Sequence, residues 1–335
     1  MSFKKPFIFV EDLNYLLAGL EEEPFFEPVH LRDRNPLSGR EKARTVFNPN
    51  KSMRKLHCRF QKLLSDSGVV FGLLFNSAAK DSIYSNAQAH SENRFFYQTD
   101  IKNAFGSVSL DRLTEILSSI RKEWNSEILK SFLEKFFFSS QGGLVVGGPA
   151  SPLLFNIYAA KVLDEPLNKL WSQRGRVYTR YCDDLTFSSL GPISASLRRE
   201  IRQVIEEAGF QVNHRKSTLI DLKKKNVVIC GVGLEYRKGR RARIFLPRHY
   251  LKRLKGLLYL IVKDRIWVNP QIIEGMFGVI APHLQRKRER GETLSRREQE
   301  LLELYIKYRD ILARKNVRAW WETTLWNSRS VENAL

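Results

Sequence analysis

The chain has 335 residues, of which 43% are hydrophobic, with a formal net charge of +20 and a pI near 9.9. That content excludes a disordered chain and suffices for one large domain or two to three smaller ones, while the charge favours a polyanionic partner, most simply nucleic acid, over an anionic membrane surface. An apolar run of about 18 residues is lacking, residues 1–10 have no signal-peptide h-region, and Cys58, Cys182 and Cys230 form neither a zinc pattern nor a disulfide framework, so a reducing cytoplasm is the expected compartment.

Apolar spacing across Phe9, Leu13, Leu16, Leu17 and Leu20 predicts a helix, which the prolines at 24, 28 and 36 then interrupt. Residues 42–49 read as a short basic strand that alternation divides into Lys42, Arg44 and Val46 on one side; taken alone, it is better explained as an exposed basic strand. An amphipathic helix follows over 51–64, with Met53, Leu56, Phe60, Leu63 and Leu64 inward. Residues 82–97 hold Asn86-Ala87-Gln88-Ala89-His90 ahead of the apolar run Phe95-Phe96-Tyr97, and His90 fits a helix-terminal or core histidine.

Residues 97–105, Tyr-Gln-Thr-Asp-Ile-Lys-Asn-Ala-Phe, form a strand that ends in Asp100 and turns toward a helix over 110–121, for which Ser107, Ser109 and Asp111 supply N-cap chemistry. The glycine-rich stretch 141–152 runs into a helix over 153–160. Backbone N–H groups at such a junction suit phosphate, and small residues admit a close neighbour. The spacing is neither a Walker loop nor a dinucleotide fingerprint, and an ordinary loop before a helix also fits.

The stretch Arg180-Tyr181-Cys182-Asp183-Asp184-Leu185-Thr186-Phe187-Ser188 reads as strand, tight turn, strand, with both acids at the turn. Two buried like charges repel unless a cation lies near, and hard oxygen ligands suit Mg²⁺. Alone, the pair is also a plain acidic turn. A helix over 195–208 stops at Gly209, a strand follows over 210–213, and a second strand pair lies around 227–234 and 243–246 with the basic hairpin 236–241 between. From Pro247 the pattern is helical, with Leu251, Leu254, Leu257, Leu258 and Ile261 on one face. Residues 236–335 hold 23 Lys and Arg against 10 Asp and Glu, so most of the positive charge lies in the last third.

Asp100 and the pair Asp183/Asp184 all sit at apolar strand ends. Carboxylates converging this way suit two divalent ions that clamp the attacking and leaving oxygens of a phosphoryl transfer. A basic strand for a triphosphate, a glycine-rich loop for a base pair and a basic helical region for a duplex make a nucleotide polymerase the simplest machine that uses all of them.

The motifs, in order, resemble those of reverse transcriptases. Residues 98–105 are similar to the first acidic motif, 149–156 to the loop-helix motif, 181–184 to the catalytic box and 209–217 to the motif after it. Within that family the resemblance is to bacterial retron reverse transcriptases: Asn86 to His90 matches their Asn-Ala-x-x-His element, Arg180 to Ser188 differs from the usual run at Cys182, where Ala is common, and Val228 to Gly231, Leu246 to Arg248 and Ile273 to Gly278 resemble the region leading into and through the thumb. Val146 stands where the family has Gln, and Cys230 replaces the Thr of Val-Thr-Gly.

The resemblance implies an α+β right-hand polymerase fold: fingers and N-terminal helices over 1–96, an antiparallel-sheet palm over 97–235 with a fingers insertion around 110–145, and a basic helical thumb over 236–335. It implies that Asp100, Asp183 and Asp184, with the Ile101 carbonyl, bind two Mg²⁺. Lys42 and Arg44 would hold the triphosphate, Phe105 would exclude a 2′-OH, Gly147 to Ser151 would pack on the nascent pair, and Lys216 would assist pyrophosphate departure. Asn86, His90, Arg240, Arg241, Arg248, Lys252 and Arg253 would contact RNA. The expected activity is RNA-directed DNA synthesis on a structured noncoding RNA that serves as template and primer, using dNTPs, in anti-phage defence with a separately encoded effector. A non-retron defence reverse transcriptase with another template or priming mode, an inactive polymerase fold that binds RNA, and a Mg²⁺-dependent nuclease are the alternatives.

Overall fold

A computed structural model describes residues 8–34, 41–66 and 83–314. It divides into one compact unit of Met1–Cys230 with Leu234–Ala242, and a second of Gly231–Gly233 with Arg243–Leu335.

The first unit begins with α1 (Ile8–Leu17), the strands β1 (Phe26–Arg34) and β2 (Glu41–Pro49), and α2 (Lys51–Asp66). Helix α1 ends before Leu20, and Leu17 of the expected apolar face is 42% exposed. Pro28, expected only as a helix breaker, lies inside β1, opposite Phe47 of β2. A two-stranded ribbon has free edges on both sides, so it tolerates a proline that a central strand would reject. Pro36 lies outside the described residues. On α2 the predicted inward residues Met53, Leu56, Phe60 and Leu64 are buried, and so is His57 between them.

Next come α3 (Ile83–Ala89), β3 (Phe95–Lys102), a 3₁₀ turn at Phe105–Ser107, α4 (Leu110–Ile120) and α5 (Ser126–Phe137). Ser109 is the N-cap of α4, its side chain accepting from Arg112 N, and Asn125 caps α5 in the same way. Helix α6 (Ser151–Ala159) continues through a π-helical turn, Ala160–Asp164, into α7 (Glu165–Trp171). Then follow β4 (Arg176–Tyr181), β5 (Asp184–Ser189), α8 (Ala195–Glu207), β6 (Gln211–Val212), β7 (Thr218–Asp221) and β8 (Val227–Ile229). Gly209, at φ +86°, closes α8, with the Phe210 amide bonded back to the Ile205 carbonyl at 3.1 Å.

Strand β3 is the spine of the antiparallel sheet, ordered β4-β5-β3-β6, with β7 also paired to β3. Tyr97, Phe187 and Tyr178 are register partners across three strands, with ring centroids of Phe187 6.1 Å from Tyr97 and 4.7 Å from Tyr178. Because partners share a face and neighbours alternate, this face is the aromatic core, packed with Trp171, Leu154, Phe155 and Phe210. The opposite face carries Asp184, Thr186 and Ser188 beside Asp100, Gln98 and Phe96.

The chain passes between the units along β9 (Val232–Glu235). The second unit holds β10 (Arg243–Phe245), α9 (Arg248–Val262), α10 (Pro270–Glu289) and α11 (Arg296–Arg314). Leu254, Leu258 and Ile261 of the predicted apolar face are buried, together with Ile273, Phe277, Leu301 and Tyr305. Phe277 and Tyr305 stack at 3.5 Å between centroids, and the Tyr305 hydroxyl donates to Glu274 at 2.6 Å. Buried Glu298 accepts from Lys287 and Ser295 and contacts His283, and these partners hold its carboxyl far below the usual range despite burial. No helix among the described residues is long and apolar enough to cross a membrane.

Candidate active site

Asp100 and Asp184 are direct cross-strand partners at the end of the β3–β5 ladder. Asp183 shares with Cys182 the two-residue loop between β4 and β5, and its carbonyl accepts from the Ile101 amide at 2.9 Å. The hairpin thus delivers both acids to the end of β3. Cys182, first in the loop, sits at φ +54°, a left-handed conformation that costs a residue other than glycine about 1–2 kcal/mol.

Asp100 is buried, and each of its oxygens has a partner: Asn213 Nδ2 donates to Oδ1 at 2.9 Å, and Lys216 Nζ to Oδ2 at 2.5 Å. The Asn213 amide also donates to the Asp100 carbonyl at 2.8 Å, which docks the turn after β6 on β3. Burial raises the pKa of Asp183, and the charge of Asp100 adds to it. Burial does the same to Asp184, with Asp183 and Asp100 both contributing. The bond to Asp100 raises the pKa of Lys216 and keeps it cationic. Burial drives the thiols of Cys182 and Cys230 up to about 11 and about 12, so neither is a ready nucleophile.

Among the described residues no three His, Cys, Asp or Glu side chains are arranged, as they stand, to hold a metal ion. Asp100 is turned to Lys216 and Asn213 instead. The donor set nevertheless fits a hard divalent cation: three carboxylates share one ammonium, Lys216, and beyond the effect of burial the charge of Asp100 disfavours a second and third ionised carboxyl at Asp183 and Asp184. Ile101 is buried opposite Val212.

Half-buried Phe105 stands on Phe155 of α6 at 5.3 Å between ring centroids. The glycine-rich stretch props it: the Leu144 amide donates to the Phe105 carbonyl at 2.9 Å, and a Cβ on Gly143 would lie 2.4 Å from Gly106 Cα. The same stretch meets β2. The Phe47 amide donates to the Val146 carbonyl at 2.7 Å, and a Cβ on Gly147 would come within 2.5 Å of the Phe47 carbonyl oxygen. Val146 itself is 40% exposed. Lys42 and Arg44 lie on β2, and their side chains are outside the described residues.

Three expected contact residues turn out to be buried. Ser151 is 1% exposed and its Oγ has no hydrogen-bond partner, so it faces the interior and not a nucleotide. Asn86 and His90, expected at RNA, are inside the protein. They belong to a relay in which Asn93 Nδ2 donates to Ser188 Oγ at 2.8 Å, Ser188 and Thr179 hydroxyls flank the His90 ring nitrogens at 2.6 and 2.7 Å, and Thr179 donates to Asn86 Oδ1 at 2.6 Å. The element braces β4 against β5. Arg241 pairs with Glu92 at 2.6 Å, both exposed, while Arg240, Arg248, Lys252 and Arg253 are exposed.

Sequence reasoning missed two buried groups around the site. His57 donates from Nε2 to the Phe136 carbonyl at 2.8 Å and accepts at Nδ1 from the Ala150 amide at 3.2 Å, so a neutral imidazole caps α6. Its only sequence signal was an inward position on α2. Arg180 is 0% exposed and ion-paired with Asp164 at 2.7 Å. The sequence shows Arg180 only as the residue leading into the acidic turn, and nothing local announces its buried partner.

Residues 33–234 match the family described as Reverse transcriptase (RNA-dependent DNA polymerase). The chain is similar to the Retron Ec48 reverse transcriptase of Escherichia coli, 26% identical over 260 residues that cover 72% of this chain and 60% of that protein. It is also similar to the Retron Ec86 reverse transcriptase of Escherichia coli, 26% identical over 214 residues covering 61% and 65%, and to the Retron Mx162 reverse transcriptase of Myxococcus xanthus, 25% identical over 264 residues covering 71% and 54%. The aligned part therefore spans less than two thirds of each relative. Among solved structures, telomerase from Candida albicans in complex with a TWJ fragment of telomeric RNA aligns over 91% of this chain and 64% of that chain, with a TM-score of 0.47 and 10% identity.

Proposed function

The chain belongs to the reverse transcriptase (RNA-dependent DNA polymerase) family, and we propose that it is an RNA-directed DNA polymerase of the retron type. The observation that carries this is the register of the sheet, which sets Asp100 opposite Asp184 with Asp183 in the adjoining loop. The mixed helix and sheet content fits the family's right-hand fold, with the sheet built on β3 as its antiparallel palm. We assign residues 1–96 to fingers, 97–235 to palm with the insertion around 110–145, and 236–335 to thumb.

Asp100, Asp183 and Asp184 would hold two Mg²⁺, which supply charge stabilisation of the transferring phosphoryl group when bound. The rest is work for the chain's own side chains. Asn213 and the sheet register fix Asp100 in place. Lys216, kept cationic beside Asp100, would give a proton or a positive charge to departing pyrophosphate. Phe105, backed by Phe155, would sit beneath the sugar and clash with a 2′-OH. Lys42 and Arg44 on β2 would take the triphosphate, for which a guanidinium fork suits phosphate oxygens. Exposed Arg248, Lys252 and Arg253 on α9 would grip the backbone of a structured RNA, whose recognition rests on phosphates, shape and 2′-hydroxyls. The RNA would act as template and primer, and the DNA product would serve anti-phage defence with a separate effector.

The test is DNA synthesis by protein purified with its native RNA, given dNTPs and Mg²⁺, against Asp183→Asn. Synthesis that vanishes in the variant is expected. Equal product from both, or none from either with cognate RNA present, ends the catalytic reading. Exposed Val146, where the family has Gln, favours a second reading, a non-retron reverse transcriptase with another priming mode. Sequencing the copurifying nucleic acid separates the two, since a branched RNA–DNA molecule belongs to the retron.

A further inference from the structure

Alternation along β4 and β5 sorts two kinds of residue onto opposite faces of the hairpin. Arg180 is the register partner of Leu185, on the aromatic core side. Asp184, one residue on, is the partner of Asp100 on the other side. Arg180 thus lies beneath the acids, and its guanidinium is fully used there. Nε and Nη2 grip Asp164 at 2.9 and 2.7 Å, while Nη1 donates to Asn156 Oδ1 at 2.8 Å and to the Cys182 carbonyl at 3.0 Å. Asp164 is held in turn by the Tyr178 hydroxyl at 2.7 Å. It ends the π-helical turn Ala160–Asp164, and such a turn re-aims side chains at functional sites.

The carbonyl that Nη1 holds belongs to the left-handed residue of the loop. A residue other than glycine keeps that conformation only when its surroundings over-determine it. Stability alone gives little reason for this arrangement, since an apolar pair of similar volume generally serves a core as well as a buried ion pair does. A fork that spends one arm on the loop carbonyl just before Asp183 does something an apolar pair cannot.

We propose that Arg180 is a positioning residue, which, anchored by Asp164 and Asn156, fixes the Cys182–Asp183 loop from the core side and so sets the Asp183 carboxylate toward Asp100 and Asp184. The inference rests on the catalytic reading of those acids. It makes Asn156 the second anchor of the hairpin, and it ties the hairpin to the floor of Phe105, because Arg180 lies 5.5 Å from the Phe155 ring centroid.

The test uses the full chain with its copurified RNA and two readouts, Mn²⁺ affinity by electron paramagnetic resonance without nucleotide, and steady-state synthesis. Asn156→Ala leaves the Arg180–Asp164 pair intact, so it decides the matter even if Arg180→Lys fails to fold. Asn156→Ala is expected to lower kcat about tenfold and Mn²⁺ affinity about fivefold with KM for dNTP changed less than about threefold, the pattern of an interaction needed at the reacting centre and not in substrate binding. Arg180→Lys, which keeps the charge but not the fork, is expected to lose more of both. Leu113→Ala, a buried position on α4, supplies a destabilised control that keeps wild-type Mn²⁺ affinity. Wild-type Mn²⁺ affinity and kcat in Asn156→Ala, or equal losses in Leu113→Ala, would overturn the proposal. Asp183→Asn separates this from the reading beneath it: if that variant binds Mn²⁺ and synthesises DNA like wild type, the catalytic assignment itself fails.

Discussion

Acidification from pH 8 to pH 5 should destabilise the first unit through two buried histidines. Burial lowers the pKa of His57 from 6.5 to about 4, against a smaller raising by the Phe136 carbonyl, and lowers that of His90 to about 3. Both groups are depressed in the folded state, so the unfolded chain takes up protons first as pH falls. Their contribution is complete above pH 6.5 and is lost progressively from there down through the folded values. At pH 5 the unfolded histidine is about 1.5 units below its pKa while the folded one is nearly unprotonated, a loss of about 2 kcal/mol each and about 4 kcal/mol together. That is an upper figure, since the raised carboxyls of Asp183 and Asp184 act in the opposite sense. It is still a large share of the 5–15 kcal/mol typical of a domain. At His57 the cause is also local, because a proton on Nδ1 would face the Ala150 N–H and leave the start of α6 uncapped. Urea titrations followed by tryptophan fluorescence at pH 8, 7, 6 and 5 measure this, with His57→Gln and His90→Gln alongside. Each variant should lose about half of the pH dependence. A wild-type midpoint that is flat from pH 8 to 5, or variants with the wild-type slope, would refute the reasoning.

Three further outcomes follow from the site. Phe105→Ala should admit ribonucleotides, read as the ratio of kcat/KM for dNTP and rNTP; an unchanged ratio removes Phe105 as the sugar gate. Gly143→Ala places a Cβ 2.4 Å from Gly106 Cα at φ +73°, and overpacking with left-handed strain should cost about 2–4 kcal/mol in thermal or urea unfolding. Wild-type stability there would mean that the 105–107 turn is free to move. Replacing Arg248, Lys252 and Arg253 together by Glu should weaken RNA binding and flatten its dependence on log salt by about 2 units if all three meet phosphates. An identical salt slope would place the RNA elsewhere.

The parts of the site legible in sequence were those set by local chemistry. Strand, tight turn and strand around Asp183 follow from β-branched and aromatic residues flanking polar ones, although Asp184, read as part of the turn, is the first residue of β5. Ser109 announced itself as a cap, and Gly209 as a stop. What stayed illegible depended on distant partners. Nothing near Arg180 reveals that Asp164 waits in a π-turn, and periodicity on α2 shows His57 facing inward without saying that Ala150 will meet it. Asn86 and His90 resembled a family element, which marks them as important without saying for what. The resemblance put them at RNA, whereas a complete internal relay satisfies them at 0 to 8% exposure, as the reading of His90 as a core histidine anticipates. Buried polar residues that satisfy one another look like exposed ones in sequence.

The same burial that blurs the alternation of β3 and β5 also protects the register of the acids. Both strands are covered on both faces, so neither shows a clean alternation. A slip of one residue in β5 would turn Asp184 toward the aromatic core and take Phe187 away from Tyr97 and Tyr178. It would bury a carboxylate on the side of Leu154, Phe155 and Phe210, where the Arg180 guanidinium is already committed to Asp164, at several kcal/mol, and lose the apolar burial of Phe187, about 2 kcal/mol more. The polar face resists the same slip, because moving Ser188 would take from His90 Nδ1 its hydroxyl partner and from Asn93 its acceptor. Asp100 and Asp184 therefore need no direct attraction to stay opposite each other, and two like charges could not supply one. Their juxtaposition is held by residues up to four positions away along the strands, so the repulsion between them remains available to bind a cation.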